Sequence, residues 1–196
     1  MASRIRVVTL LWLMLSSKAA VVQAGGGATP RAAFNEARLG MSIEAWKQIE
    51  GGALAARHPC HAIAKPSRTI GDTGCYGFQV ETLDGVPVLA SSFTFVAGEL
   101  ATIGLLFRSE QFVTAAAALE ERFGPPRSKE NPTVQTRLGA TYVNDVRLWV
   151  IGTDAIEARK YSVHISDAYI QYRSQKALTE RDARAKQRAG DGKKDP

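Results

Sequence analysis

Two histidines and two cysteines stand close together in this chain: His58, Cys60, His61 and Cys75. Such a set could hold zinc through two nitrogens and two thiolates, or the two sulfurs could simply bond to each other. His58-Pro59-Cys60-His61 is more compressed than the ligand spacing of zinc fingers, and exported cysteines tend to oxidise. The expectation is therefore a Cys60–Cys75 disulfide, with no metal and no cofactor. It would close a loop of about 15 residues, worth about 3 kcal/mol through lost freedom of the unfolded chain.

Acyl-transfer chemistry needs a nucleophile, a base and a group that orients the base, and only His58, His61 and His164 are available as bases. Ser91-Ser92 and Ser166-Asp167 are common dipeptides, and no Gly-x-Ser-x-Gly elbow occurs. Glu120-Glu121 falls near the end of an expected helix, where it reads as a solvated face and not as an acid/base pair. Gly71 to Gly74 precedes an expected strand instead of following one, so it reads as a turn and not as a phosphate cradle. No catalytic residue is singled out.

Binding chemistry has better candidates. Tyr142, Trp149, Tyr161, Tyr169 and Tyr172 crowd the second half, together with Arg147, Arg159 and Arg173. Aromatic and arginine side chains are enriched where proteins bind one another, and these eight form the candidate binding surface. Of the eight, Trp149 suits a core better than a surface.

The first residues imply export. Arg4 and Arg6 precede an apolar run from Val7 to Leu15, and Val22-Gln23-Ala24 makes a small-x-Ala cleavage site. Residues 1–24 thus read as a signal peptide and 25–33 as a flexible leader, with a periplasmic or secreted mature chain that has no transmembrane segment. No cysteine follows the cleavage site to carry a lipid. The formal charge of +6 falls to +3 once Arg4, Arg6 and Lys18 are removed, because 22 bases then face 19 acids. That remaining excess lies after Ser174, so the body is neutral and a nucleic-acid partner is not expected.

The elements that must position these residues follow from periodicity. Ser42 can cap a short helix stapled by Met41 and Trp46, and Gly51-Gly52 interrupts it. Tyr76, Phe78 and Val80 alternate as one strand face, Asp84-Gly85 makes a hairpin, and Ala97-Gly98 makes another. In the strand that follows, Ala101, Ile103, Leu105 and Phe107 are assigned to one face. Ser109 is placed as the cap of a helix whose buried stripe is Phe112, Ala115, Ala116, Leu119 and Phe123, ended by Gly124-Pro125-Pro126. A short strand is expected near Ile70. Further strands are expected over 133–143, 146–151, 155–161 and 163–172. Residues 174–196 read as a charged tail, part helix and part disorder, and dispensable for folding.

The fold class expected is α+β: an antiparallel sheet with helices on one face, in two helix-then-strands units over about 34–108 and 109–173 within a domain spanning 34–173. Leu39-Gly40-Met41-Ser42, opening a helix that contains Trp46, resembles the start of the small outer-membrane assembly lipoproteins of the SmpA/BamE type. Helix and then antiparallel strands, stated twice, is similar to the tandem build of the β-lactamase inhibitor protein family. Phe95 to Leu100, running on to Phe123-Gly124-Pro125-Pro126, resembles exported bacterial proteins of that general build. The resemblance implies a non-enzymatic module whose partner is another exported or envelope protein. The alternative expectation is a small periplasmic hydrolase built on one or more of the histidines.

Overall fold

The computed structural model describes residues 30–63 and 71–191. The expected signal peptide, most of the leader, the strand near Ile70 and residues 192–196 lie outside that range. The described chain begins with a small hairpin, β1 (Ala33–Phe34) and β2 (Ala37–Arg38), followed by helices α1 (Ile43–Lys47) and α2 (Ala53–Arg57). Strands β3 (Cys60–Ala62), β4 (Thr73–Leu83), β5 (Val86–Val96) and β6 (Glu99–Arg108) come next. Helix α3 (Phe112–Phe123) leads to β7 (Ser128–Glu130), β8 (Thr133–Gln135) and β9 (Thr141–Val143). The chain continues through β10 (Val146–Ile151), β11 (Asp154–Arg159) and β12 (Asp167–Ser174) into α4 (Gln175–Asp191).

Eight strands form one antiparallel sheet in the order β3-β4-β5-β6-β12-β11-β10-β7. Each helix-then-strands unit contributes four neighbouring strands, and the units meet where β6 pairs with β12. Both halves of the sequence therefore build one sheet and one core. At the far edge, Cys60 and Cys75 are direct cross-strand partners and are bonded through their sulfurs.

Local chemistry accounts for the elements. Ser42 accepts a hydrogen bond from the Ala45 N–H, capping α1. The β4–β5 turn puts Asp84 and Gly85 at φ 45° and 85°, and the β5–β6 turn puts Ala97 and Gly98 at 52° and 78°; paired positive values match the right-handed twist of the flanking strands. Helices α1, α2 and α3 cover one face of the sheet. Trp46 packs 5.1 Å from Phe93 and 5.5 Å from Phe95, while Phe112 and Leu119 of α3 join the same core as Ile103, Ile156, Ile170 and Tyr172.

Four local expectations are corrected. A bulge between Thr94 and Phe95 pairs Phe95 with Leu100, so Leu100 joins the main core and Ala101 packs instead with Val96 and Ala177. Ser109 does not cap α3. It opens a single 3-10 turn, and its hydroxyl donates to the Ile165 carbonyl at 2.8 Å, tying that turn to the loop before β12. The expected strand over 133–143 is a hairpin, because Gly139 at φ 86° folds it back so that Thr133 opposes Val143. The last strand begins at Asp167, since the Asp167 N–H bonds the His164 carbonyl in a tight turn.

Helix α4 docks through a small separate cluster, with Ala177 buried against Val96 and Ala101, and with ion pairs from Lys176 to Glu99 and from Arg184 to Asp72. Among the described residues, no helix is long and apolar enough to cross a membrane.

Candidate binding face

The face of the sheet opposite α1, α2 and α3 is open over its central strands, and the register sets its contents. One row across the strands reads Phe78, Ala90, Leu106, Tyr169, Arg159 and Val146. The neighbouring row reads Tyr76, Ser92, Gly104, Gln171, Glu157 and Leu148. Because side chains alternate along each strand, all of these point away from the covered core.

Two glycines shape the floor. The Tyr169 phenol lies across Gly104 and the Tyr76 phenol across Gly74, each occupying the space that a Cβ on the glycine would need. Mid-strand glycine is otherwise unfavourable, and here it lets an aromatic ring lie down on the sheet. Tyr169 is hydrogen-bonded to Ser92, and burial pushes its hydroxyl above the ordinary tyrosine pKa, so it stays a neutral phenol. With Phe78 and Leu106, these rings line a cleft of about 430 Å³ walled by Val163. Phe78 is 73% exposed and Val163 87%, which is unusual for large apolar side chains side by side.

The wall is the loop over 160–166, held by a buried asparagine. The Asn144 side chain accepts from the Tyr161 N–H at 2.8 Å and donates to the Tyr161 carbonyl at 3.0 Å. Tyr142 of β9 meets Tyr161 edge-on at 5.7 Å, which packs the β8–β9 hairpin against the loop. Between hairpin and loop lies a second cavity of about 600 Å³, which includes Arg137, Ser162, Val163 and His164. A third, of about 290 Å³, lies between the hairpin and the sheet beside Glu130, Glu157 and Arg159. Val163 borders both the first and the second, and Val134 both the second and the third, so the three adjoin in series along this side of the sheet and together make up a trough.

The eight residues expected to share a binding surface are divided by the fold. Tyr169, Arg159 and Arg173 lie on the open face, where both guanidinium groups pair with Glu157. Tyr142 and Tyr161 clasp the hairpin to the loop. Trp149 and Tyr172 are core residues, 1% and 0% exposed, and the Trp149 indole donates to the Gly124 carbonyl at 2.9 Å. Arg147 is a strut on the covered side: it pairs with Asp145 and Glu120, lies 5.5 Å from the Phe112 ring, and these bonds raise its pKa. Strand parity is the reason, since Trp149 and Arg147 fall on opposite sides of β10 from Leu148, and Arg147 reaches the core edge through α3.

Glu120 is likewise not a free solvated side chain. Lys129 first, and Arg147 after it, hold its carboxyl below the usual range. Tyr76, Phe78, Leu106 and Val163 are the residues that sequence reasoning left out of the surface. Gly74 and Gly104 inside strands were the signal that could have pointed to two of the rings.

The histidines have separate fates. His58 is fully buried, with Nδ1 donating to the Leu54 carbonyl at 2.9 Å and Nε2 accepting from the Ser91 hydroxyl at 2.7 Å. Burial lowers its pKa, so the ring is neutral, and the carbonyl contact fixes the tautomer. The distance suits a base and a nucleophile, but Ser91 is 3% exposed and both groups sit beneath α2. They join α2 to β5. His61 and His164 are exposed. The two sulfurs are consumed by the disulfide, so no thiolate pair remains for zinc.

No family model, curated protein or solved structure matches this chain.

Proposed function

We propose that this protein is an exported, non-enzymatic binding module that engages another exported or envelope protein through the open face of its sheet. The observation that carries the reading is the Tyr76–Phe78–Tyr169 cleft: a group of large apolar side chains left uncovered at the centre of a sheet whose other face is fully packed. Exposed apolar groups so concentrated mark interaction sites, and rings braced on glycine are already ordered before a partner arrives. Export is supported by the basic-then-apolar stretch from Arg4 to Leu15, and by a disulfide of the kind that persists in oxidising compartments.

Cross-linking in living cells tests the reading. A photo-reactive phenylalanine analogue in place of Phe78 should form an adduct with another protein, and the same analogue at Val113, exposed on α3 beyond the covered face, should not. Adducts at Val113 and none at Phe78 would reject the open face as the site. Export is tested by the N-terminal residue of the purified protein, expected to lie just after Ala24.

A further inference from the structure

The trough changes character along its length. Its first cavity is walled by Tyr76, Phe78, Leu106, Val163 and Tyr169 and presents almost entirely apolar atoms. The adjoining cavity is mixed: Val134, Val163 and Ile165 line it beside the hydroxyls of Thr136, Ser162 and Ser166, the Gln135 amide, Arg137 and His164, and among the described residues no carboxylate lines it. Arg137 forms no ion pair among the described residues, unlike Arg147, Arg159 and Arg173. Exposed apolar side chains of the loop line these cavities: Val163 borders both and Ile165 the second. An uncompensated guanidinium beside an apolar cleft matches a partner with the reverse pattern.

Resting on the binding-module reading above, we propose that the trough takes an extended segment of a partner protein bearing an apolar or aromatic anchor for the Tyr76–Phe78–Tyr169 cleft and, close to it in sequence, an acidic side chain for Arg137. The anchor is desolvated between the two phenols and Val163. The carboxylate is met by the planar fork of Arg137, which suits it better than an ammonium would, and the hydroxyls of Ser162, Ser166 and Thr136, which line the same cavity, are available to donate further hydrogen bonds to it. Arg159 and Arg173 are spoken for by Glu157 and add little attraction of their own.

The probe is a random peptide library displayed on phage, selected on the immobilised, oxidised protein. Enriched peptides should combine a large apolar residue with Asp or Glu within a few positions. Binding should fall by about ten-fold or more with Phe78→Asp and with Arg137→Glu, and should weaken between about 0.05 M and about 0.5 M salt. Both substitutions are at exposed positions, and unchanged circular dichroism of the variants verifies folding. Peptides without acidic residues, lost with Phe78→Asp but indifferent to Arg137→Glu, overturn the acidic-segment proposal and leave the binding face standing. Peptides indifferent to both, or no enriched peptide at all, overturn the binding reading too. Sedimentation with vesicles of anionic phospholipid, abolished by both substitutions, would reject a protein segment in favour of a membrane surface.

Discussion

Tyr169 lies on Gly104 so closely that a methyl group at position 104 would fall inside its phenol, with the Ser92 hydroxyl 2.6 Å from the same point. The ring, the glycine and the serine are one device. Gly104 gives up side-chain packing in the middle of β6 so that an aromatic from the neighbouring strand can form the floor of the cleft. Gly104→Ala should cost about 1–3 kcal/mol, as overpacking usually does, and should displace Tyr169. Urea unfolding measures the first effect and the aromatic NMR signals of Tyr169 the second. An unchanged Tyr169 environment would show that the ring does not need the glycine.

Stability should depend on pH through His58. Its folded pKa is lowered by burial, so the unfolded chain takes up the proton first as pH falls. Above about pH 6.5 both states are neutral and the group contributes no slope, and below it stability falls progressively. Glu81, Arg57 and Glu50 are the charged groups that act on the ring. Urea midpoints across that range should decline on the acidic side for the native protein. They should lose most of that decline in His58→Gln, which should also be less stable at pH 7.5.

The Cys60–Cys75 bond fastens β3 to β4 immediately before Tyr76, with a sequence separation of 15 residues. Reduction should lower stability by about 2–4 kcal/mol. Thermal melts with and without reductant give the difference, and mass spectrometry of the unreduced protein should find a mass two hydrogens lighter than the dithiol.

Within α3, neighbouring positions should behave oppositely. Leu119 is 1% exposed in the main core, so Leu119→Ala should cost about 2–5 kcal/mol. Glu121 is exposed, and Glu121→Ala should leave the urea midpoint unchanged. Glu120, paired with Lys129 and Arg147, is not the proper control. Equal small effects at Leu119 and Glu121 would mean that α3 does not seal the covered face.

Removing the chain after Ser174 should cost about 1–3 kcal/mol, through loss of the Ala177 contact with Val96 and Ala101 and of two exposed ion pairs. That departs from the expectation that the tail is dispensable. An unchanged melting temperature on truncation would restore it.

The sequence by itself determined whatever depends on neighbours along the chain. Ser42 could be assigned as a cap because the N–H it satisfies is three residues away, Asp84-Gly85 as a turn because Asp and Gly take positive φ most readily, and Ala97-Gly98 as a turn through its glycine, with Ala97 held at φ 52° against its own preference. Helical spacing assigned Phe112, Ala115, Ala116 and Leu119 to one buried stripe, and the two-fold run of helix then strands was legible in the order of the patterns. Tertiary structure alone decided which strand faces are covered. Tyr169 and Tyr172 are three residues apart with the same chemistry, yet one floors an open cleft and the other is fully buried, because successive side chains alternate and only one side of β12 meets the helices. The bulge at Thr94–Phe95 moved Ala101 off the expected face by a single residue, which no local pattern announces. The cleft itself joins β4, β5, β6 and β12 with a loop pinned by Asn144, so its existence depends on pairings as distant in sequence as Thr102 with Arg173, where the free energy lies in contacts the linear order does not contain.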